Sequence, residues 1–308
     1  MSDKEYRGCW PTMITPFTDG DKVDFKALRA IVDQYVAWGC EGIFAVCQSS
    51  EMFLLSRQEK LDIARAVKDA AAGRVKVIAS GHTEDEPAAQ VEGLGAMAET
   101  GVDAVVLVSN RLAKEAEGEE VFRRSADAIF SQLPGVTFGM YECPYPYRRL
   151  LTTEFLADCA RSGRMVFLKD VSCSRPVLEE RIAAVRGSGL SIFNANTATL
   201  LDSLVAGADG YNGVMANFHL DLYVWMYRNF RERPEEARRV SDFLTVAAVI
   251  EARAYPVSAK YHFGLTGIPM SLRTRVKDPA LLNENARLEV ESLVRMERGL
   301  RAELGLAG

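Results

Sequence analysis

The sequence predicts an α/β protein of the (β/α)8 TIM-barrel class with a C-terminal helical extension. Three observations predict it. Short apolar runs recur eight times along the chain, each followed by an amphipathic stretch. The runs are apolar almost throughout, as parallel strands buried on both faces are. No polar or Pro/Gly-rich linker divides the 308 residues, and the Gly-x-Gly-x-x-Gly fingerprint of an open dinucleotide-binding sheet is absent. Eight β-α units in series favour a closed barrel over a doubly wound sheet.

The eight runs cover 8–14, 42–46, 75–79, 104–108, 136–141, 165–169, 190–193 and 210–214. Between them the periodicity turns helical. Ser56-Arg-Gln-Glu59 is a capping box, opening a helix that extends to Ala72. Phe155, Leu156 and Cys159 share one helical face, and Leu200, Leu201, Leu204 and Val205 another. Gly101 and Gly207 stand where helices end before the next strand, in the left-handed C-cap position glycine suits. After Arg231 the alternation stops. Amphipathic helices are expected over 235–254 and 281–304, so the chain divides into a barrel over 1–231 that carries the active site and a helical extension over 232–308.

Composition removes several function classes. Lys plus Arg is 37 against 42 Asp plus Glu, a net charge of −5, whereas a general nucleic-acid binder needs a basic footprint. No apolar run approaches the roughly 20 residues that span a bilayer, and the N-terminus lacks the apolar core of a secretory signal. A cytoplasmic protein with no membrane partner is expected. The six cysteines form no Cys-x-x-Cys pair and are expected as reduced, buried, small hydrophobes. The three histidines lie far apart with no ligand spacing, so no metal site is expected. No Gly-x-Ser-x-Gly elbow is present, which argues against a serine hydrolase.

In this fold, chemistry is assembled at the C-terminal ends of the strands. The sixth strand ends in Lys169-Asp170. A lysine pointing into the barrel mouth is desolvated, its pKa falls, and its neutral amine can attack a ketone to form a Schiff base. The alternative is a lysine leaving the strand for solvent, paired with Asp170. The fifth strand ends in Tyr141, followed by Glu142-Cys-Pro-Tyr-Pro-Tyr147, a stiff turn. A phenol there can move protons to and from a carbinolamine or aldol oxygen; a core tyrosine satisfied by a backbone carbonyl is the competing reading. The second strand runs into Cys47-Gln48-Ser49-Ser50-Glu51. Its hydroxyls and N–H groups suit a carboxylate, or equally a cap or β-turn, with Glu51 holding the loop through backbone hydrogen bonds.

In this order and spacing, the segments resemble the dihydrodipicolinate synthase / N-acetylneuraminate lyase family of class I, Schiff-base aldolases, over nearly the whole chain. Thr15-Pro16-Phe17 looks like the family's Thr-Pro-Phe. Gln48-Ser49-Ser50-Glu51 lies where the family has its Gly-Thr-Thr-Gly-Glu loop. Tyr141-Glu-Cys-Pro144 is similar to its Tyr-Asn-x-Pro, Lys169-Asp170 to its Lys-Asp/Glu strand end, and Gly207-Ala-Asp-Gly210 with Gly213, Val214 and Asn217 to its eighth strand. The resemblance implies that Lys169 forms the Schiff base with a 2-oxo acid and Tyr141 transfers protons beside it. Ser49, with Gln48, Ser50 and the loop's N–H groups, would bind the carboxylate. Gly213 and Val214 would line the site.

The departures from the family pattern are as informative. Gln48 stands at the first loop Thr, and an amide cannot relay a proton as a hydroxyl does. The synthases' arginine, five residues after the tyrosine, is Pro146 here. Their crossing tyrosine after the fourth strand is replaced in the stretch Ser109-Asn110-Arg111. The expectation is a divergent lyase acting on a pyruvate-type 2-oxo acid, not a dihydrodipicolinate synthase; Arg111 is either a candidate for a distal substrate group, if it points into the mouth, or an exposed surface arginine. Dehydration of a 2-oxo-3-deoxy sugar acid and non-catalytic 2-oxo acid binding are the alternatives. The mechanism requires no metal or organic cofactor. The resemblance further implies a homotetramer or homodimer.

Overall fold

The computed structural model describes residues 4–306. Eight parallel strands alternate with helices: β1 Gly8–Cys9, β2 Gly42–Phe44, β3 Lys76–Ala79, β4 Ala104–Val108, β5 Phe138–Tyr141, β6 Met165–Asp170, β7 Ser191–Asn194 and β8 Gly210–Tyr211. The helices of the barrel are α1 Phe25–Ala37, α2 Arg57–Ala71, α3 Pro87–Ala98, α4 Glu119–Gln132, α5 Thr153–Ser162, α6 Arg175–Ala184, α7 Leu200–Ala206 and α8 Ala216–Asn229.

The strands neighbour one another in sequence order from β2 to β8, and β1 lies beside β8. Closure between β1 and β2 runs through Thr12, bridged to Phe44. There the Phe44 N–H donates to the Pro11 carbonyl at 3.0 Å and the Met13 N–H to the Phe44 carbonyl at 3.0 Å. The β1–β8 seam requires glycine. A Cβ on Gly210 would lie 1.9 Å from the Gly8 carbonyl oxygen, so no larger residue lets the two strands approach.

Inside the barrel, aromatic side chains from four strand segments fill the space. Phe167 and Phe193 rings are 4.7 Å apart, Trp10 is 5.4 Å from Phe193, and Phe44 is 6.3 Å from Phe167. Gly139 lies in register with Phe167 and leaves it room. Such pairs contribute about 0.5–1.5 kcal/mol each beyond area burial. They also form an apolar floor beneath the barrel mouth.

The extension differs from the sequence expectation. The stretch expected as one helix over 235–254 is α9, Pro234–Ala247, then a tighter 3₁₀ turn, Ala248–Ala252. An unexpected helix follows, α10 Val257–Leu265, before α11 Glu284–Leu304. Val205, expected on the buried face of α7, is 68% exposed; α7 ends one residue later, so the apolar stripe stops short of it. Ser56 caps α2 as expected, its hydroxyl accepting from the Glu59 N–H at 3.1 Å while Glu59 accepts from the Ser56 N–H at 2.8 Å.

Polar contacts join the extension to the barrel. Buried Glu297 of α11 meets His219 of α8 at 2.9 Å and His262 of α10 at 3.0 Å, and Arg301 pairs with Asp221 at 2.6 Å. Arg275 grips Glu59 through two bonds of 2.7 and 2.8 Å. That bidentate pair draws the segment before α11 across the mouth of the barrel. No helix among the described residues is long and apolar enough to cross a membrane.

Candidate active site

Strand alternation decides which way the end of β6 points. Phe167 faces into the barrel, so Lys169, two residues on, does the same, and Asp170 faces out. Lys169 is 4% exposed. Its Nζ lies 4.5 Å from the centre of the Tyr141 ring and 6.0 Å from that of Phe44. It makes no ion pair or hydrogen bond among the described residues. Burial holds its pKa below the ordinary lysine value; Cys47, Cys143 and Glu251 oppose that shift. The Lys169–Asp170 pair considered from sequence does not form.

Asp170 instead joins a buried cluster behind the site. Arg181 of α6 bridges Asp170 and Glu142, all three at most 1% exposed, with 2.7 Å between Arg181 and Glu142. Glu142 also accepts from the Leu151 N–H at 2.7 Å and the Val171 N–H at 3.1 Å, and Asp170 from the Ser172 N–H at 2.8 Å. The ends of β5 and β6 are thereby pinned together, which fixes Tyr141 against Lys169. Nothing in the α6 sequence marked Arg181 as a partner of these two acids.

Tyr141 is in register with Lys169 across β5 and β6. Its hydroxyl donates to Gln48 Oε1 at 3.1 Å, and the Cys143 thiol approaches the same oxygen at 3.5 Å. Burial pushes the Tyr141 phenol well above its usual pKa, and Cys143 adds to the shift. The proton-bearing form is therefore the stable one.

The loop after β2 divides its residues between cavity and scaffold. Gln48 and Ser49 line the cavity, and the Ser49 hydroxyl reaches Thr12 Oγ1 at 3.1 Å. Ser50 turns inward. It is fully buried, its hydroxyl accepting from the Cys47 N–H at 2.6 Å and donating to the Cys47 carbonyl at 2.7 Å. Ser50, expected to bind substrate, is a loop brace and is absent from the cavity wall. Glu51 takes the role of loop anchor, accepting from the Arg275 and Val276 N–H groups at 2.5 and 2.8 Å.

The cavity above Lys169 has a volume of about 390 Å³. Gly213 and Val214 line it beyond β8, with Asn196 and Cys173 from the loops after β7 and β6. The extension supplies a further part of the wall through Glu251, Tyr255, Pro256, Val276 and Lys277. None of these five was anticipated, because no local pattern tells that residues beyond the barrel fold back over its mouth. Thr12 could have been found by the strand-end rule applied to the first strand. Glu251 is the one carboxylate on the cavity wall among the described residues, and it has no hydrogen-bond or ion-pair partner there. Burial raises its pKa against the pull of Lys169.

Arg111, the candidate for a distal substrate group, does not reach the cavity. Its guanidinium pairs with Asp85 at 2.5 Å and stacks over Phe53, lining a separate groove between α3 and α4. The short turn after β4 points it along the outside of the barrel. Its neighbour Asn110 also turns from the cavity, its amide nitrogen facing the carbonyls of Cys143, Tyr145 and Tyr147 at 2.6–2.9 Å. It braces the turn that follows Tyr141.

The sequence profile of the Dihydrodipicolinate synthetase family matches residues 5–296. The chain belongs to the dihydrodipicolinate synthetase family. Members of this family are Schiff-base lyases, and the chain is an enzyme of the lyase class. It is 26% identical over 278 residues to the 4-hydroxy-tetrahydrodipicolinate synthase of Gluconacetobacter diazotrophicus, covering 87% of this chain and 90% of that one. It is 30% identical over 219 residues to the synthase of Sorangium cellulosum, covering 70% and 71%. Among solved structures, YagE, a prophage protein of the same family from E. coli K12 in complex with pyruvate, superposes with a TM-score of 0.85 at 20% identity, covering 95% of this chain and 99% of that one. A monomeric dihydrodipicolinate synthase variant gives 0.86 at 16% identity, covering 96% and 98%. These likenesses establish the family barrel.

Proposed function

We propose that this family member is an aldolase that makes or cleaves a carbon–carbon bond beside a pyruvate-type 2-oxo acid, using Lys169 as the Schiff-base residue. The observation that carries it is the unpaired, buried Lys169 amine facing Tyr141 inside a cavity that also presents Ser49. A lysine desolvated without a counter-ion has an accessible neutral amine. Attack on the ketone carbon moves the carbonyl π pair onto oxygen. Loss of that oxygen as water, with uptake of one proton, leaves an iminium. The iminium withdraws electrons from the adjacent carbon, which becomes a nucleophilic enamine once a proton leaves. Tyr141 is placed to move protons at the carbinolamine oxygen.

The acceptor differs from that of a dihydrodipicolinate synthase. Gln48 takes the Tyr141 hydrogen and passes none on. Pro146 stands in place of the guanidinium, and Arg111 lies outside the cavity.

Borohydride trapping with pyruvate, read by peptide mass spectrometry, tests the reading. A reduced pyruvyl adduct on Lys169 is expected, and its absence overturns the proposal. Glu251 favours a second reading, dehydration of a 2-oxo-3-deoxy sugar acid through the same imine, since an unpaired carboxylate on the wall can assist loss of water. Release of pyruvate from such acids supports the aldolase, and loss of water without pyruvate supports the dehydratase. We further propose that the protein works in the cytoplasm.

A further inference from the structure

Tyr255 enters the cavity from the extension, between the 3₁₀ turn at Ala248–Ala252 and α10. Its hydroxyl lies beside those of Ser49 and Thr12 and 3.1 Å from Asn217 Nδ2. The orientation of the Asn217 amide follows from its surroundings. Nδ2 faces two backbone carbonyls, Thr12 and Val214, each at 2.8 Å, and carbonyls only accept. On the other side, the Tyr35 hydroxyl donates to Asn217 Oδ1 at 2.6 Å. An amide nitrogen cannot accept, so the Tyr255 hydrogen is not directed at Asn217. No backbone carbonyl among the described residues takes it either. It is left to the Ser49–Thr12 pair or to whatever occupies the cavity.

The two phenols of the site therefore differ. Tyr141 has its hydrogen committed to Gln48 Oε1; the Tyr255 hydrogen is free to point inward beside Ser49. Ser49 donates to Thr12 Oγ1 at 3.1 Å, a neutral hydroxyl acceptor that a ligand carboxylate outcompetes. The result is one uncommitted O–H donor, Tyr255, beside a second, Ser49, that a carboxylate can recruit from Thr12, in a wall where Gln48 presents a carbonyl oxygen already in use. Neutral donors converging on one point bind a carboxylate through charge-assisted hydrogen bonds.

We propose that Tyr255 is a substrate-binding residue that holds, together with Ser49, the carboxylate of the 2-oxo acid attached to Lys169. The assignment rests on the Schiff-base reading above. Thr12, Asn217 and Tyr35 are positioning residues behind it. Burial keeps the Tyr255 phenol protonated far above neutral pH, so it remains a donor.

The experiment measures borohydride trapping on Lys169 as a function of ketone concentration, for the wild type and Tyr255→Phe. Two ketones are used: pyruvate, and hydroxyacetone, which has no carboxylate. The expected result is that the half-saturating pyruvate concentration rises about tenfold or more in the variant, as loss of a hydrogen bond to a charged group implies, while hydroxyacetone titrates alike in both proteins. Ser49→Ala is expected to show the same selectivity. Equal half-saturation for pyruvate in wild type and Tyr255→Phe overturns the assignment to Tyr255 alone, and so does an equal loss for both ketones, which marks a merely structural role. No adduct in the wild type overturns the Schiff-base reading and this inference with it.

Discussion

Tyr141 and Lys169 are register partners on adjacent strands, and the Lys169 nitrogen sits 4.5 Å from the centre of the Tyr141 ring. The ring is thereby held against the amine. Replacing Tyr141 by Phe keeps the ring and removes the hydroxyl. The expected outcome is a fall in turnover of about 10²- to 10⁴-fold, the range for one acid–base group, with the melting curve little changed. Steady-state kinetics beside a thermal melt checks it.

The amine also carries a pH signature. Lys169 is protonated at low pH and attacks only when neutral. Because burial lowers its pKa, the rate of imine formation should rise with pH through a midpoint below about 10.4, the unperturbed lysine value. The stability linkage has the matching sign. A lysine with a lowered folded pKa binds fewer protons folded than unfolded, so stability rises with pH between the two values. Rates of adduct formation across pH, paired with melts at the same pH, measure both.

Arg181 pairs with two fully buried carboxylates, Glu142 and Asp170. Its replacement by Leu leaves both acids in the wall of the barrel without their guanidinium partner. Breaking a buried pair by removing one partner costs about 3–5 kcal/mol, so Arg181→Leu should unfold at markedly lower denaturant. Urea titration followed by circular dichroism reads this directly.

Glu251 is the unpaired carboxylate of the cavity. A negative charge there disfavours acceptor aldehydes that carry their own carboxylate. Glu251→Gln should shift the ratio of kcat/KM toward carboxylate-bearing aldehydes relative to neutral hydroxylated ones. Competition between the two kinds of aldehyde, with products quantified by mass, reports the ratio.

Arg111 supplies the contrary expectation. Its guanidinium lies against Asp85 and Phe53, away from Lys169. Arg111→Ala should leave KM for every substrate of the Lys169 site unchanged. A raised KM would show that the guanidinium reaches the cavity during turnover.

Much of the site was legible because strand periodicity is local. Phe167, Lys169 and Asp170 alternate in the chain, and that alternation alone separates the inward amine from the outward acid. Tyr141 and Ser49 follow from the same rule, as strand ends facing one mouth. The rule stops at the loops. Ser50 and Arg111 sit in turns whose path no periodicity dictates, and both proved to face elsewhere. Gln48 was legible as a departure from the family pattern, but its bond to Tyr141 joins residues 93 apart in the chain.

The sequence by itself determined the barrel, the strand ends and the residue types gathered there, since apolar runs and helical stripes encode burial within a few residues of chain. Tertiary structure decided what closes the mouth. Glu251, Tyr255 and Lys277 reach the cavity only because the Arg275 clamp on Glu59 and the bonds from Glu51 to the 275–276 backbone pull the extension across it. Those contacts join residues more than 200 positions apart. Their positions are set by the folded barrel that brings them together, so no local pattern announces them.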